Sequence, residues 1–431
     1  MARGRRGQRQ PAAVLTAVVW FRRDLRIHDN PALAASLAAG GRQALFVLDS
    51  RLRSGRWASE RRNRFLEASL EVLGRTLAAC GVRLSVVEGR PEEEVPRFAA
   101  AQQAASVHVS WDVTAFARQR DAAVAAALDR RGCQLVAHDG LLLHTPARLL
   151  AAKGGPCRTF ASFLRRLQEV PMRSPVAPPA GAAEPTSRPG PAEGVGLAPG
   201  EWAARVRLAA FVRWNVASYA EDRDRLDREG TARISQDLKF GLLSPRDVLA
   251  ACGAGTKFAA ELAWREYAHY TAWHFPELAE RALVPSRADL PWRSSPEDFN
   301  RWCAGETGFD LVDAGMKELV ASGFMPNRAR MVAASFLSKQ LLIDWRKGHA
   351  WFMRQLLDGD VASNALNWQW CASTGVDAAP YFRLFSPERQ AQRFDPDGAY
   401  RRLWLGAGPR PSPMVDLAEA RRRALAAFRG R

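Results

Sequence analysis

The first 140 residues carry the pattern that most restricts the fold: short apolar runs that alternate with amphipathic stretches at nearly regular spacing. Strand-like runs fall at Ala17–Phe21, Ala44–Leu48, Leu84–Val87, Ser106–Val109 and Gln134–Ala137. Helical periodicity fills the gaps near Pro31–Ala39, Glu60–Cys80, Glu92–Gln103 and Arg118–Arg131. Strands of this kind can lie side by side in parallel only if helices cross back over the sheet, so the rhythm predicts a doubly wound α/β domain over residues 15–140. Ahead of it, residues 1–14 read as a disordered basic tail, interrupted by Pro11.

After residue 140 the pattern changes twice. Between Pro171 and Gly200, eight prolines and five glycines in thirty residues cannot sustain regular structure, and this stretch is read as the linker of an interdomain connection spanning 141–200. Beyond it strand-like runs vanish, and helical patterns dominate, as at Lys257–His274, Arg328–Asp344 and Ala350–Leu357. Residues 201–431 should form an all-helical domain that holds 11 of the 14 tryptophans, more than core packing usually needs.

Composition narrows the function classes. The net charge is +17, with only six lysines among 62 basic residues, which favours a polyanionic partner such as nucleic acid. Arginine richness also follows from a GC-rich genome, so charge alone decides nothing. No run of about 18 apolar residues suggests a membrane span. The six cysteines are widely spaced and no secretory leader precedes them, so a reducing cytoplasm is expected. There is no G-x-G-x-x-G, Walker loop or H-E-x-x-H motif, and no metal site is expected.

Three segments of the helical half concentrate reactive side chains. On a helix, Glu261, Trp264 and Arg265 share a face, which sets a carboxylate, an indole and a guanidinium together. An exposed Glu–Arg pair beside a core Trp would read the same way. In Met325-Pro326-Asn327-Arg328-Ala329-Arg330-Met331, Pro326 marks a helix start, and Asn327, Arg330 and Met331 share a face. Polar groups and indoles crowd into Asp358-Gly359-Asp360 through Asn364, Trp368 and Trp370.

These segments, with Val19-Trp20-Phe21-Arg22-Arg23-Asp24-Leu25-Arg26-Ile27-His28-Asp29-Asn30, Gly308–Met316, Asn327–Trp345 and Ala372–Phe385, resemble the cryptochrome/photolyase family, most closely its bacterial cyclobutane pyrimidine dimer photolyases. The resemblance implies a noncovalent, U-shaped FAD in the helical domain. Its diphosphate would be cradled by Tyr219 and Thr231-Ala232-Arg233-Ile234-Ser235, with Phe258, Arg330, Asp358, Gly359, Asp360 and Asn364 around the isoalloxazine and ribose. Asn364 matches the residue that faces flavin N5; plant cryptochromes have Asp there. The implied reaction is light-driven electron donation from anionic reduced FAD to a flipped-out dimer, a redox-neutral repair.

On the substrate side, the resemblance gives Glu261 a hydrogen bond to a thymine edge, Asn327 a base contact, and Trp264, Trp370 and Met331 an apolar wall. Arg223, Arg265, Arg328 and Gln390 match DNA-contacting positions, where arginines neutralise phosphates. Trp368, Trp345 and Trp292 match a chain that passes electrons from the surface to oxidised flavin. UV-damaged DNA is therefore the expected partner and a monomer the expected state.

The departures are specific. Pro326 stands where such photolyases have His. Asn327 and Met331 replace the histidine pair of (6-4) photolyases, which disfavours that repair. Cys157-Arg158-Thr159-Phe160-Ala161-Ser162-Phe163 departs from the usual antenna-side segment, so methenyltetrahydrofolate, a deazaflavin or no second chromophore all stay open. The chain after Trp404 reaches Pro413-Met414-Val415-Asp416 sooner than in relatives. A cryptochrome-type photoreceptor is the main alternative, and a basic nucleic-acid-binding protein without flavin is a third.

Overall fold

The computed structural model describes residues 16–151, 154–182 and 190–429; the expected basic tail lies outside the described residues. Five strands form one parallel sheet: β1 (Thr16–Phe21), β2 (Gln43–Leu48), β3 (Arg83–Glu88), β4 (Ala104–Ser110) and β5 (Gln134–His138), in the order β3-β2-β1-β4-β5. Central β1 and β2 are buried nearly throughout, as expected when helices cover both faces of a parallel sheet, whereas no residue of edge β3 is buried. One face packs Val18, Trp20, Leu45, Val47, Val107 and Val109 against the helices Pro91–Ala101 and Ala115–Asp129.

The crossover helices are α1 (Pro31–Ala38), α2 (Ser50–Arg53), α3 (Glu60–Ala79), α4 (Pro91–Ala101) and α5 (Ala115–Asp129), followed by α6 (Phe160–Glu169). The helical half then runs α7 (Glu201–Trp214), α8 (Tyr219–Asp222), α9 (Ser235–Phe240), α10 (Pro245–Cys252), α11 (Lys257–His274), α12 (Pro296–Ala304) and α13 (Asp310–Ser322). It ends with α14 (Asn327–Ser335), α15 (Trp345–Gln355), α16 (Val361–Ala372), α17 (Pro387–Phe394), α18 (Ala399–Leu405) and α19 (Leu417–Arg429). The fold is the expected α/β sheet domain followed by a helical region.

Two sequence expectations change. The helix expected over Arg328–Asp344 stops at Ser335, passes through a π-helical turn at Phe336–Gln340, and is reversed by Leu342 at φ 53°. Lys339 and Gln340 lie buried in that turn, and their side chains donate to the carbonyls of Arg383 and Phe385 at 2.9 and 2.6 Å, while the backbone bonds shift to a wider register, with Leu341 N–H donating to the Phe336 carbonyl at 2.9 Å. The next helix starts at Trp345 rather than near Ala350, because Asp344 caps it by accepting from Arg346 N–H at 2.9 Å.

The proline-rich stretch has no helix or strand among its described residues, yet it is not a loose spacer. Val176 exchanges hydrogen bonds with Asp29, accepting from its N–H and donating to its carboxylate, both at 3.0 Å, and Arg173 pairs with the same carboxylate. The two halves also share one apolar cluster, in which Phe21, Phe46 and Phe65 of the sheet domain join Phe211, Tyr219, Phe240, Phe258 and Leu357. At this junction Gly241 ends α9 at φ 68°, and a Cβ there would lie 1.8 Å from the Arg23 carbonyl oxygen, so only glycine fits.

Candidate functional site

The strand order reverses between β1 and β4, and open α/β sheets usually bind ligands in the crevice this creates at the carboxyl ends of the strands. Here the crevice grips the helical half instead. Arg23, just beyond β1, places its guanidinium 2.5 Å from Asp360 and 3.7 Å from Asp112, which follows β4. Asp360 also caps α16, accepting from Ser363 N–H at 2.9 Å, and His269 Nε2 lies 3.5 Å from its carboxylate. Burial would raise the Asp360 carboxyl, but His269 and Arg23 outweigh it and hold that carboxyl well below the usual range.

Asp358 pairs with Arg330 at 2.9 Å, and Arg330 also donates to the Met325 carbonyl at 2.7 Å. Arg62 from α3 reaches across to the carbonyls of Met353 and Leu356, and burial pushes its guanidinium down to about 10. Lys239 is likewise driven well down by burial and by the neighbouring Arg62 and Arg23 charges. Arg23, Arg62, Arg330 and Lys239 thus gather around the carboxylates of Asp112, Asp358 and Asp360, a dense cluster of charge where the two halves meet.

Asn364, one turn into α16, donates from Nδ2 to the His349 carbonyl at 3.0 Å. That bond fixes the amide with Oδ1, the acceptor, as its remaining polar end. Tyr219 and Phe258 are buried edge to face, with ring centroids 5.1 Å apart. In the loop Thr231–Ser235, Arg233 is held at φ 45° and lies over the Phe324 ring at 4.6 Å; Gln236 reaches back to its carbonyl at 2.5 Å. Phe324 also lies within 5.9 Å of the Arg330 guanidinium, which brings the loop beside the Asp358 pair.

On the adjoining surface a ladder of charges joins α11, α14 and α17 through the loop that follows α8. Lys257 and Glu261 pair at 3.2 Å, Glu261 accepts from Arg223, and Arg223 lies 3.7 Å from Asp224. Asp224 pairs with Arg328 at 2.6 Å, and Arg328 donates to Gln390 Oε1 at 3.4 Å. Four sequence-selected residues, Arg223, Glu261, Arg328 and Gln390, therefore stand together. Asn327 is exposed at the first turn of α14, and its Nδ2 lies 3.6 Å from Met331 Sδ. Helices α11 and α14, which carry Glu261 and Asn327, both pack on α16, which carries Asn364 and Trp370.

Two residues sit differently from the shared face expected around Glu261. Arg265 does not pair with Glu261; it turns to the buried Glu266 at 2.6 Å and to the Leu141 carbonyl at 3.3 Å, toward the sheet domain. One face of Trp264 is covered by Phe160, stacked at 3.9 Å and 6°. Among the tryptophans, Trp368 and Trp345 are fully buried and Trp292 is half-buried. Gly348 on α15 permits the approach of Trp368, because a Cβ there would fall 2.1 Å from the indole.

Sequence reasoning missed Arg23, His269, Arg62 and Lys239. A usable signal was present for Arg23: it follows the central strand directly, where crevice residues of such sheets belong. The other three owe their places to packing between distant segments.

Similarity to known proteins follows the same division of the chain. The family described as DNA photolyase matches residues 17–182, and the FAD binding domain of DNA photolyase matches residues 258–408. A deoxyribodipyrimidine photo-lyase of Thermus thermophilus is 42% identical over 423 residues, covering 95% of this chain and 97% of the relative. The crystal structure of a bacterial class III photolyase from Agrobacterium tumefaciens is similar with a TM-score of 0.89 and 32% identity, covering 99% of each chain. A Synechocystis cryptochrome is similar at 26% identity and a TM-score of 0.85, covering 96% of this chain and 99% of that one. Because these matches take in both the parallel sheet and the helical region around Asp358–Asn364, the chain belongs to the DNA photolyase family.

Proposed function

We propose that this protein repairs cyclobutane pyrimidine dimers in DNA, using light and an FAD held in its helical half. Whether the residues fit that cofactor can be judged from unfilled bonds. Asp358 Oδ1 is buried and has no hydrogen-bond partner among the described residues. Such an orphaned carboxylate oxygen needs a donor, which a ribose hydroxyl or ring N–H of FAD provides. Tyr219, Thr231–Ser235, Phe258, Arg330, Asp358, Gly359, Asp360 and Asn364 are the residues assigned to hold the cofactor. When bound and reduced, FAD supplies the photoexcitable electron donor.

The protein's own work is to orient and to exclude water. With its Nδ2 committed to the His349 carbonyl, Asn364 would offer Oδ1 as the acceptor for the N–H that distinguishes the reduced flavin edge. Glu261, held by Arg223 and Lys257, presents a carboxylate that accepts from a thymine N–H once the base displaces one of those cations. Trp264, Trp370 and Met331 form the apolar wall, with Asn327 at its rim. Arg223, Arg328 and Gln390 meet the DNA backbone, while Arg265 braces α11 against the sheet domain. The observation that carries this reading is the charge ladder from Lys257 to Gln390, whose Glu261 and Arg328 lie on helices that pack against the Asn364 helix. A photoreceptor needs no such ladder.

No described helix is long and apolar enough to cross a membrane. We take the protein to act as a monomer on cytoplasmic DNA. The test is direct: incubate the reduced holoprotein with a dimer-containing oligonucleotide under blue light and measure restored thymines against a dark control. Restoration only in light supports repair. Photoreduction of FAD without restored thymines overturns repair in favour of a photoreceptor.

A further inference from the structure

We infer that Asp224 is an internal stand-in for a DNA phosphate: its carboxylate fills the gap between Arg223 and Arg328 in the free protein and so weakens sequence-independent DNA binding. This rests on the proposed contact of those two arginines with the DNA backbone and adds what sets its strength. Asp224 is the ladder residue to which repair itself gives no task.

The placement is specific. Asp224 Oδ2 lies 2.6 Å from the Arg328 guanidinium, and Oδ1 lies 3.7 Å from Arg223 Nε. A carboxylate and a phosphate offer an arginine the same kind of paired anionic oxygens, and here one carboxylate faces two cations. Other contacts hold both sides of the gap. The Arg328 guanidinium lies over the Phe394 ring at 4.3 Å and donates to Gln390, while Arg223 donates to Glu261. The chain that follows is tied down as well, since Leu226 N–H donates to the Phe394 carbonyl at 2.8 Å and Arg225 pairs with Asp227. The arginines therefore keep anchors that do not involve Asp224.

The carboxylate is also displaceable. Its Oδ1 is buried and has no hydrogen-bond partner among the described residues, because 3.7 Å is too long for a bond to Arg223. A carboxylate bonded through both oxygens would hold its cations more tightly. The Asp224 side chain is 27% exposed against 14% for Arg223 and 15% for Arg328, so the gap opens to the surface at the anion.

The consequence is electrostatic. Each phosphate that the protein neutralises releases condensed counterions, so affinity for duplex DNA falls with salt at a logarithmic slope of about 0.9 per contact. An incoming phosphate must displace a like charge while Asp224 holds Arg328. Asp224→Asn keeps the shape and an acceptor for Arg328 but removes that charge, which frees one cation for the backbone. It should steepen the salt slope by about 0.9; with no effect at 1 M salt, that slope tightens binding ~15-fold at 50 mM and ~4-fold at 200 mM. Damaged and undamaged duplexes gain alike, because phosphates carry no lesion information. In the parent, Asp224 thus shortens residence on undamaged DNA and leaves discrimination to the groups that touch the flipped base.

The experiment is a salt titration of holoprotein binding to a labelled duplex, with and without one dimer, read in the dark by fluorescence anisotropy. It compares the parent, Asp224→Asn, Arg328→Gln and the double variant, with FAD absorbance reporting that each is folded. Asp224→Asn should show the tighter binding and the steeper slope, and the double variant should lose both gains because the freed arginine is gone. Asp224→Ala is the second variant, with the same sign expected. An Asp224 that merely anchors the arginines predicts the reverse, weaker binding and a shallower slope. That result, binding unchanged from the parent, or a double variant that keeps the full gain overturns the inference. Arg328→Gln separates the levels. If it lowers neither affinity nor slope, this surface does not meet DNA and the underlying reading fails; if it lowers both while Asp224→Asn matches the parent, only the role of Asp224 falls.

Discussion

The contact between Arg23 and Asp360 ties the sheet to the start of the helix that carries Asn364, Trp368 and Trp370, and its strength can be predicted. Asp360→Asn preserves shape and helix capping, because Asn and Asp cap about equally well. What it removes is one of the two anions beside Arg23, leaving Asp112 at 3.7 Å. Removing one partner of a buried pair costs ~3–5 kcal/mol, and the remaining carboxylate sets the expectation at about 3 kcal/mol. Arg23→Met should cost a similar amount. Urea unfolding of the parent, both single variants and the double variant, followed by tryptophan fluorescence, gives the coupling. The double variant should lose less than the sum of the singles by roughly 1.5 kcal/mol or more, whereas a deviation within ~0.5 kcal/mol of additivity would refute a direct clamp. The pH dependence has a definite sign. Since the folded Asp360 carboxyl is held below its unfolded value, the stabilisation is complete above ~pH 4 and disappears as pH falls through the depressed value. The parent's advantage over Asp360→Asn should therefore persist at pH 5 and shrink only in stronger acid.

Glu261→Ala should lower the quantum yield of dimer repair while FAD stays bound, and an unchanged yield would remove Glu261 from the mechanism. Trp368→Phe should block photoreduction of oxidised FAD yet spare repair by chemically reduced protein, as read from flavin absorbance and thymine recovery. Burial pushes the Glu318 carboxyl up to about 7 although Tyr400 donates to it at 2.6 Å, so its stabilising contribution is complete below the ordinary carboxylate range and lost as pH rises through about 7. Glu318→Gln keeps an acceptor for Tyr400 and should gain on the parent between pH 5 and pH 8 by on the order of 2–3 kcal/mol in denaturant unfolding, with a pH-independent difference counting against the assignment.

Local pattern was enough to locate the five strands and the helix Lys257–His274, because apolar periodicity reports which face of an element must be buried, and that requirement is met segment by segment. Motif resemblance nominated Glu261, Asn327, Arg330, Asp358, Asp360 and Asn364 as site residues, whose roles are proposals here. Periodicity could not show the π-helical turn at Phe336–Gln340, since the carbonyls that anchor its Lys339 and Gln340 side chains belong to residues 383 and 385, more than forty positions away. Nor could it show that Arg265 faces Glu266 and the Leu141 carbonyl instead of Glu261, or that Arg23 and Arg62 reach from the sheet domain to the Asp358–Asp360 turn. A charged side chain's partner is chosen by which acceptor lies nearest once burial has stripped away water, and only the packed tertiary structure decides that.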